Sequence, residues 1–175
     1  MSGLIVREAN AMAGVVHANN VGGPAYVATN GVRYDADRSY IGGWYCNQPR
    51  DIDNTLDDGL HYSTRQGTFT YELPVPNGSY LVELQMNETN FQQDGLRIFD
   101  IRMEAGEAFS DVEIVALSGA KSTALTLAMR VARDGGARDE PGHKDGRTRR
   151  PGRVETMAVR PATGDGGTRE QLQHE

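Results

Sequence analysis

The residues best suited to chemistry lie in one stretch, 87–100, where an aromatic ring stands among carboxylates and amides. The stretch follows an alternating strand at 80–86 and leads into a second strand at 97–103. Asp94 and Gly95 are turn formers, so a loop is predicted between these strands, with Phe91 near it. An aromatic ring in such a loop offers a flat surface to a ligand. This loop is therefore the first candidate for a binding site.

Patterns typical of catalysis are scarce. The four histidines include no H-E-x-x-H pair and no Cys/His metal spacing, and Ser63 and Ser118 lack a G-x-S-x-G context. Glu88 and Asp100 are two carboxylates of the kind that glycosidases use, but nothing else in the sequence supports that role. Asp100 is instead expected to form a hydrogen bond with the backbone near its strand. A polar loop holds four aspartates without an EF-hand pattern, predicted to form caps and turn bonds: Asp51, Asp53, Asp57 and Asp58. The sequence predicts no enzyme, no catalytic residue, no metal site and no cofactor.

Composition narrows the class of protein. The chain of 175 residues is long enough for one domain with a real core, and 21 glycines with 38% apolar residues favour a loop-rich β protein. A net charge of −6 argues against nucleic-acid binding, and the single cysteine, Cys46, permits no intrachain disulfide. No window has the ~18 apolar residues of a membrane span, and the N-terminus lacks a signal peptide. The chain is thus either cytoplasmic or one module of a longer, secreted protein.

Alternating segments recur along the chain and predict strands. The clearest are 15–18, 67–73, 80–86, 97–103, 112–116 and 123–131, with an Asn30-Gly31 hairpin between 26–28 and 32–34. The 67–73 and 80–86 strands are predicted to form a meander about a proline-containing turn, and 105–108 a turn. Short strands with frequent turn signals are typical of a sandwich. The predicted fold is all-β, an antiparallel, jelly-roll-like β-sandwich with a long irregular C-terminal loop.

Changes in composition divide the chain into segments. We predict an N-terminal extension at 1–14 that includes a short amphipathic turn at 2–13, followed by the β-sandwich at 15–131. Residues 132–153 are rich in Gly, Arg and acids, and are either a charged loop or an aberrant segment produced by a shifted reading frame. Alternation returns at 154–160, the predicted closing strand, and 161–175 is predicted to be a polar, mobile tail.

A series of ordered motifs resembles the malectin-like carbohydrate-binding domain over about 115 residues. They are N-V-G-G-P-A-Y at 20–26, D-A-D-R-S-Y-I-G-G at 35–43, L-D-D-G-L-H-Y-S-T-R-Q-G at 56–67, F-T-Y-E-L-P-V-P-N-G-S-Y at 69–80 and Q-D-G-L-R-I-F-D at 93–100. Glu88 and Phe91 stand where the family has Ala-Glu-x-Tyr-Phe. The resemblance implies a non-catalytic sandwich that binds short glucans or related sugars with aromatic residues on end loops. It also implies a module of a larger extracellular or secretory-pathway polypeptide.

The same resemblance implies particular ligand contacts. Tyr40 and Phe91 match ligand-contacting aromatic residues, whereas Asn90 and Gln66 stand where the family has tyrosines. A sugar presents an apolar C–H face to an aromatic ring and hydroxyls to amides and carboxylates. Trp44 and Asp37 are therefore added to the predicted site, which becomes Tyr40, Phe91, Asn90, Gln66, Asp37 and Trp44. The expected ligand is an oligosaccharide or polysaccharide of plant or microbial type. The alternative is a structural or protein-interaction sandwich that has lost sugar binding.

Overall fold

Two stacked β-sheets form the body of the molecule. The structure is a computed structural model that describes residues 1–9, 14–103, 106–133 and 154–160, with only the backbone at 106–108 and 154–160. The elements in chain order are β1 (Gly3–Glu8), β2 (Val15–Asn20), β3 (Tyr26–Val27), β4 (Arg33–Ala36), β5 (Tyr40–Asn47), α1 (Asp58–His61), β6 (Ser63–Tyr71), β7 (Gly78–Met86), β8 (Ile98–Met103), β9 (Gly106–Val112), α2 (Ile114–Ser118), β10 (Leu125–Arg133) and β11 (Val154–Arg160).

Each sheet draws strands from both halves of the chain. The six-stranded sheet has the order β10-β7-β1-β2-β4-β3, and the five-stranded sheet has the order β5-β6-β11-β8-β9. Described strand pairs are antiparallel except β2 with β4, which is parallel. Among the described strands, neither sheet closes on itself. The predicted all-β sandwich is therefore confirmed, and the predicted strand at 154–160 lies between β6 and β8.

The core between the sheets is built from the alternating faces of the strands. Phe69 and Tyr71 of β6, with Leu73, are at most 3% exposed, as predicted from their spacing. The apolar faces of β7 and β8 are also buried, with side chains at most 6% exposed: Tyr80, Val82, Leu84, Met86, Phe99, Ile101 and Met103. Each such side chain contributes roughly 1.5–3 kcal/mol by leaving water. The hydrophobic pattern thus fixes which face of each strand is turned inward.

The N-terminal residues do not form the predicted amphipathic turn. Gly3–Glu8 is the strand β1, paired with β2 on one side and β7 on the other. Leu4 and Val6 enter the main core, while Ile5 packs into a smaller cluster beyond the six-stranded sheet. A strand that is covered on both faces reads as a continuous apolar run, so its sequence L-I-V lacks the alternation that would have revealed it.

The predicted meander of β6 and β7 is wrong in its pairing. β6 belongs to the five-stranded sheet and β7 to the six-stranded one, so the segment between them crosses from one sheet to the other. Pro74 and Pro76 lie in this crossing, where the missing N–H of proline removes no ladder hydrogen bond. Alternation identified the two strands and their inner faces correctly. It carries no information about which strand lies beside which.

Two assignments near residue 110 are also corrected. The predicted turn at 105–108 lies partly in β9, Gly106–Val112, and the predicted strand at 112–116 is mostly the short helix α2, Ile114–Ser118. Glu113 caps α2 by accepting from the backbone N–H of Ala116 at 2.9 Å, and Gly119 ends it with φ of 86°. These caps outweigh the β propensity of Ile114 and Val115.

The predicted loop 132–153 begins in the strand β10, which runs to Arg133; residues 134–153 and the predicted tail 161–175 lie outside the described residues. Within the part of the chain that the structure describes, none of the helices is long and apolar enough to cross a bilayer.

Candidate functional site

An exposed row of aromatic and apolar side chains marks β5. This strand lies at the end of the five-stranded sheet, and Tyr40, Ile41, Trp44 and Tyr45 are 43, 58, 61 and 70% exposed. Its register against β6 shifts between Gly42 and Trp44. Adjacent residues of a strand point to opposite faces, so these side chains leave apolar surface exposed on both sides of β5. β5 is therefore the first feature of the surface that points to a ligand or partner.

Trp44 is held flat against the backbone of Gly67. A Cβ atom placed on Gly67 would lie 2.3 Å from Cζ3 and 2.8 Å from Cε3 of the indole. Gly67 also has φ of +81°, where a side chain is disfavoured. Only glycine therefore allows this close approach. Because the indole rests on Gly67 and the residue remains 61% exposed, Trp44 forms a supported and open aromatic surface.

A buried ion pair supports Tyr40 from inside. Arg65 donates to Asp37 Oδ2 through Nε (3.1 Å) and Nη2, and to the carbonyl of Gly42 at 3.1 Å. Tyr71 donates its hydroxyl to Asp37 Oδ1. The guanidinium carbon of Arg65 lies 3.4 Å from the centroid of the Tyr40 ring. Because Asp37 has both oxygens engaged in this way, its side chain holds Arg65 and Tyr71 in place.

The protonation states of this network follow from its burial. Burial, and then the hydrogen bond to Asp37, raise the pKa of the Tyr71 hydroxyl. Burial acts to lower the pKa of Arg65, but the hydrogen bond and charge of Asp37 outweigh it, so this pKa is raised. Tyr71 therefore stays neutral and Arg65 stays charged near neutral pH. Tyr40 lies over a permanent cation.

Glu88 organises the loop that carries Phe91. Its side chain is 1% exposed, and Oε1 accepts from the backbone N–H groups of Asn90 (2.7 Å) and Phe91 (3.2 Å). Its Oε2 lies 2.9 Å from Nη1 of Arg97, whose guanidinium carbon is 4.9 Å from the Phe91 ring centroid. Phe91 is half-buried by this arrangement. The carboxylate of Glu88 thus sets both the loop backbone and the cation against the ring.

A second set of contacts ties this loop to the segment after β5. Arg50 donates to the carbonyl of Thr89 at 2.9 Å and to the side chain of Gln48. Gln48 donates in turn to Oδ1 of the exposed Asn90 at 3.3 Å. The predicted site residue Asn90 is therefore anchored to the segment beyond the C-terminal end of β5. Tyr40 lies at the other end of that strand.

A cavity of about 360 Å³ connects several of these groups. Trp44, Gln66 and Gly67 line it from the β5–β6 side, Asn87 and Arg97 from the β7–β8 side, and Phe99 and Ile114 are apolar lining residues. Its volume falls within the ~300–1,000 Å³ range of small-molecule sites. Trp44 and Gln66 are predicted site residues that line this cavity, whereas Tyr40, Phe91, Asn90 and Asp37 do not line it. Arg65 and Arg97 line the same cavity. The guanidinium of Arg65 lies over the ring of Tyr40, and that of Arg97 lies over the ring of Phe91.

Several contributors to this site escaped the prediction from sequence. Asn87, Arg97 and Gly67 line the cavity, but the sequence did not predict them as site residues. Gly67 begins the predicted 67–73 strand but lies inside the observed β6, where a glycine often marks the close approach of another group. No sequence signal pointed to Asn87, because the alternation of polar and apolar residues does not reveal that this asparagine is buried. Asp100, expected to bond backbone, is buried and accepts from the N–H of Asp111 at 3.1 Å.

A second cavity, of about 450 Å³, is lined by Tyr34, Asp57, His61 and Gln85 among others. Its polar groups are engaged with neighbours: Asp57 accepts from Tyr26 and Thr29, and the hydroxyl of Tyr34 bonds to Gln85. Nδ1 of His61 lies 2.9 Å from the hydroxyl of Ser2, and burial lowers the pKa of His61 to about 4. His61 is therefore neutral at physiological pH. The polar side chains of this cavity therefore bond to other parts of the protein and hold its walls together.

The fold and the exposed aromatic residues define a class of two-sheet binding modules. The chain belongs to the malectin domain family, which matches residues 15–136. It is 30% identical to malectin of Mus musculus over 108 residues, which are 57% of this chain and 37% of the mouse protein. The chain thus spans just over a third of that relative's length. Family membership makes it a carbohydrate-binding or protein-interaction module.

Solved structures of plant receptors share the fold. The ANX2 ectodomain from Arabidopsis thaliana superposes with a TM-score of 0.64 at 15% identity, over 83% of this chain and 44% of that one. The plant receptor complex of peptide RALF23 with FER and LLG2 contains a chain that matches with a TM-score of 0.59 at 17% identity, over 68% and 40% of the two chains. At these identities the likeness is one of fold.

Proposed function

We propose that this chain is a non-catalytic module that binds short, glucan-type oligosaccharides by aromatic stacking. The observation that carries the proposal is Trp44, which rests on Gly67 and is 61% exposed beside a cavity of suitable size. A tryptophan held in this way presents an apolar face at little entropic cost. The C–H face of a pyranose ring is the complementary surface.

The other site residues take roles that follow from their contacts. Tyr40 extends the aromatic surface along β5, and its charged support, Arg65, strengthens the ring's position. Gln66 offers amide groups at the cavity to sugar hydroxyls, and the exposed Asn90 offers them beside Phe91. Asp37 positions Arg65 and Tyr71, because its side chain is 8% exposed and both of its oxygens accept hydrogen bonds from these residues. Phe91 forms the stacking surface of the neighbouring loop.

Calorimetric titration after a glycan array tests this proposal. The wild-type protein should show saturable binding to one or more glucans. Trp44→Ala or Phe91→Ala should each weaken that binding by about 1–3 kcal/mol, as expected for a stacking anchor. Val27→Ala serves as control, because Val27 is exposed on β3 of the other sheet. Absence of saturable binding to any glucan, galactan or xylan would contradict the proposal. If the module is non-catalytic, oligosaccharides incubated with the protein should keep their original length.

One observation favours a second function, protein interaction. Ile41 and Tyr45 of β5 are exposed on a strand at the end of its sheet, and such strands can receive an extended peptide. A related fold occurs in a complex that contains the peptide RALF23. In both cases the module would serve a larger parent polypeptide. The sugar titration separates the two, because the interaction function predicts no response to any glycan.

A further inference from the structure

Asn87 lines the cavity with a buried side chain whose amide makes no hydrogen bond to the described part of the protein. Its side chain is 4% exposed, and neither Oδ1 nor Nδ2 has a hydrogen-bond partner within the described part of the chain. His61 is a neighbour, since the amide raises the pKa of that imidazole, but the pair does not reach hydrogen-bond geometry. An unpaired buried amide destabilises the folded protein, because the amide has lost its hydrogen bonds to water. A partner from outside the protein would remove that cost.

The position of Asn87 is fixed on both sides. Met86 before it is fully buried at the end of β7, and Glu88 after it is 1% exposed and anchors the following loop. The backbone on both sides therefore holds the Asn87 side chain at the wall of the cavity that it lines. Asn87 also begins an Asn-Glu-Thr glycosylation triplet, but its burial removes the amide nitrogen from a modifying enzyme in the folded state.

We infer that Asn87 binds the hydroxyl groups of a sugar residue that enters the cavity beside Trp44. An asparagine amide offers one acceptor oxygen and two N–H donors, which suits a pair of neighbouring hydroxyls. Trp44 and Asn87 line the same cavity, so a single pyranose ring meets an aromatic face and a hydroxyl reader together. The apolar residues Phe99 and Ile114 also line this space. The inference rests on the proposed sugar-binding function and names the residue that reads its ligand.

The test exploits the opposite effects that Asn87→Leu has on folding and on binding. Leucine has the same branching at Cγ and needs no hydrogen bond, so the unfolding midpoint should stay the same or rise. Affinity for maltotriose, cellotriose or laminaritriose, whichever the wild type binds, should fall about 5- to 100-fold. Asn77→Leu is the matched control, because Asn77 is an exposed amide between β6 and β7 and its replacement should leave affinity unchanged.

Each other outcome has a defined meaning. If Asn87→Leu binds the trisaccharide as the wild type does, the inference fails while the proposed function stands. If the wild type binds no trisaccharide, both fail. Should the variant not fold, NMR of the wild type decides. The side-chain NH₂ resonances of Asn87 must shift saturably with the trisaccharide, and resonances that stay fixed while others move would overturn the inference.

Discussion

Gly67→Ala should displace the indole of Trp44, while the fold loses only the stability that an alanine costs in a left-handed backbone conformation. The new Cβ would lie 2.3 Å from Cζ3 of the indole, whereas carbon atoms attract best at about 3.5–4.0 Å. The indole must therefore shift by at least ~1.2 Å. It can do so by turning into solvent, because the residue is 61% exposed. The supported aromatic surface would be lost.

Gly31→Ala separates this displacement from backbone strain. Gly31 has φ of +82°, nearly the value at Gly67, yet nothing lies within 4 Å of its Cβ position. Both variants should lose about 1–2 kcal/mol of stability from the left-handed backbone. Only Gly67→Ala meets a side chain there. The difference between the two variants thus isolates the position of the indole.

Fluorescence provides the assay, because Trp44 is the single tryptophan of the chain. Gly67→Ala should change the emission of Trp44 and weaken glucan binding by about 1–3 kcal/mol, the range of a lost anchor. Gly31→Ala should leave both unchanged. Wild-type emission together with wild-type affinity in Gly67→Ala would refute the argument that Gly67 holds Trp44 in its binding position.

Two further predictions concern stability. Asp37→Asn leaves the buried Arg65 without its counter-charge and should cost about 3–5 kcal/mol in urea unfolding, whereas Asp35→Asn breaks an exposed pair and should cost at most about 1 kcal/mol; equal effects would contradict the buried-pair account. His61 has its pKa lowered to about 4 from 6.5, so the unfolded chain binds the extra proton and stability should fall as pH drops from 6.5 towards 4, by up to about 3 kcal/mol. His61→Gln should flatten that slope relative to the wild type, and an unchanged slope would show that His61 is not buried and neutral.

The fold was predictable where one face of a strand is buried and the other is wet. β6, β7 and β8 alternate, and their inner residues Phe69, Val82 and Phe99 are buried as expected. β1 escaped because it is covered on both faces and so shows an apolar run. The pairing of β6 with β7 was wrong because alternation carries no information on neighbours. Strand order depends on long-range contacts that a local pattern does not record.

The sequence supplied candidate residue types for the site but not their geometry. Of the six predicted site residues, Trp44 and Gln66 line one cavity. The supports could not be read from the sequence: Gly67 acts through a positive φ, and Arg97 acts through the buried Glu88. Asn87 becomes notable only when its burial and missing partners are known. These are properties of three-dimensional packing between segments distant in sequence.

The indole N–H resonance of Trp44 offers the most direct test of sugar binding at this surface. It is a single signal in the proton–nitrogen NMR spectrum, since the chain has one tryptophan. Titration with a bound glucan trisaccharide should shift it saturably, with the affinity that calorimetry gives. A resonance that stays in place while the trisaccharide is bound would show that the sugar binds elsewhere, and would contradict the assignment of β5 and its cavity as the binding site.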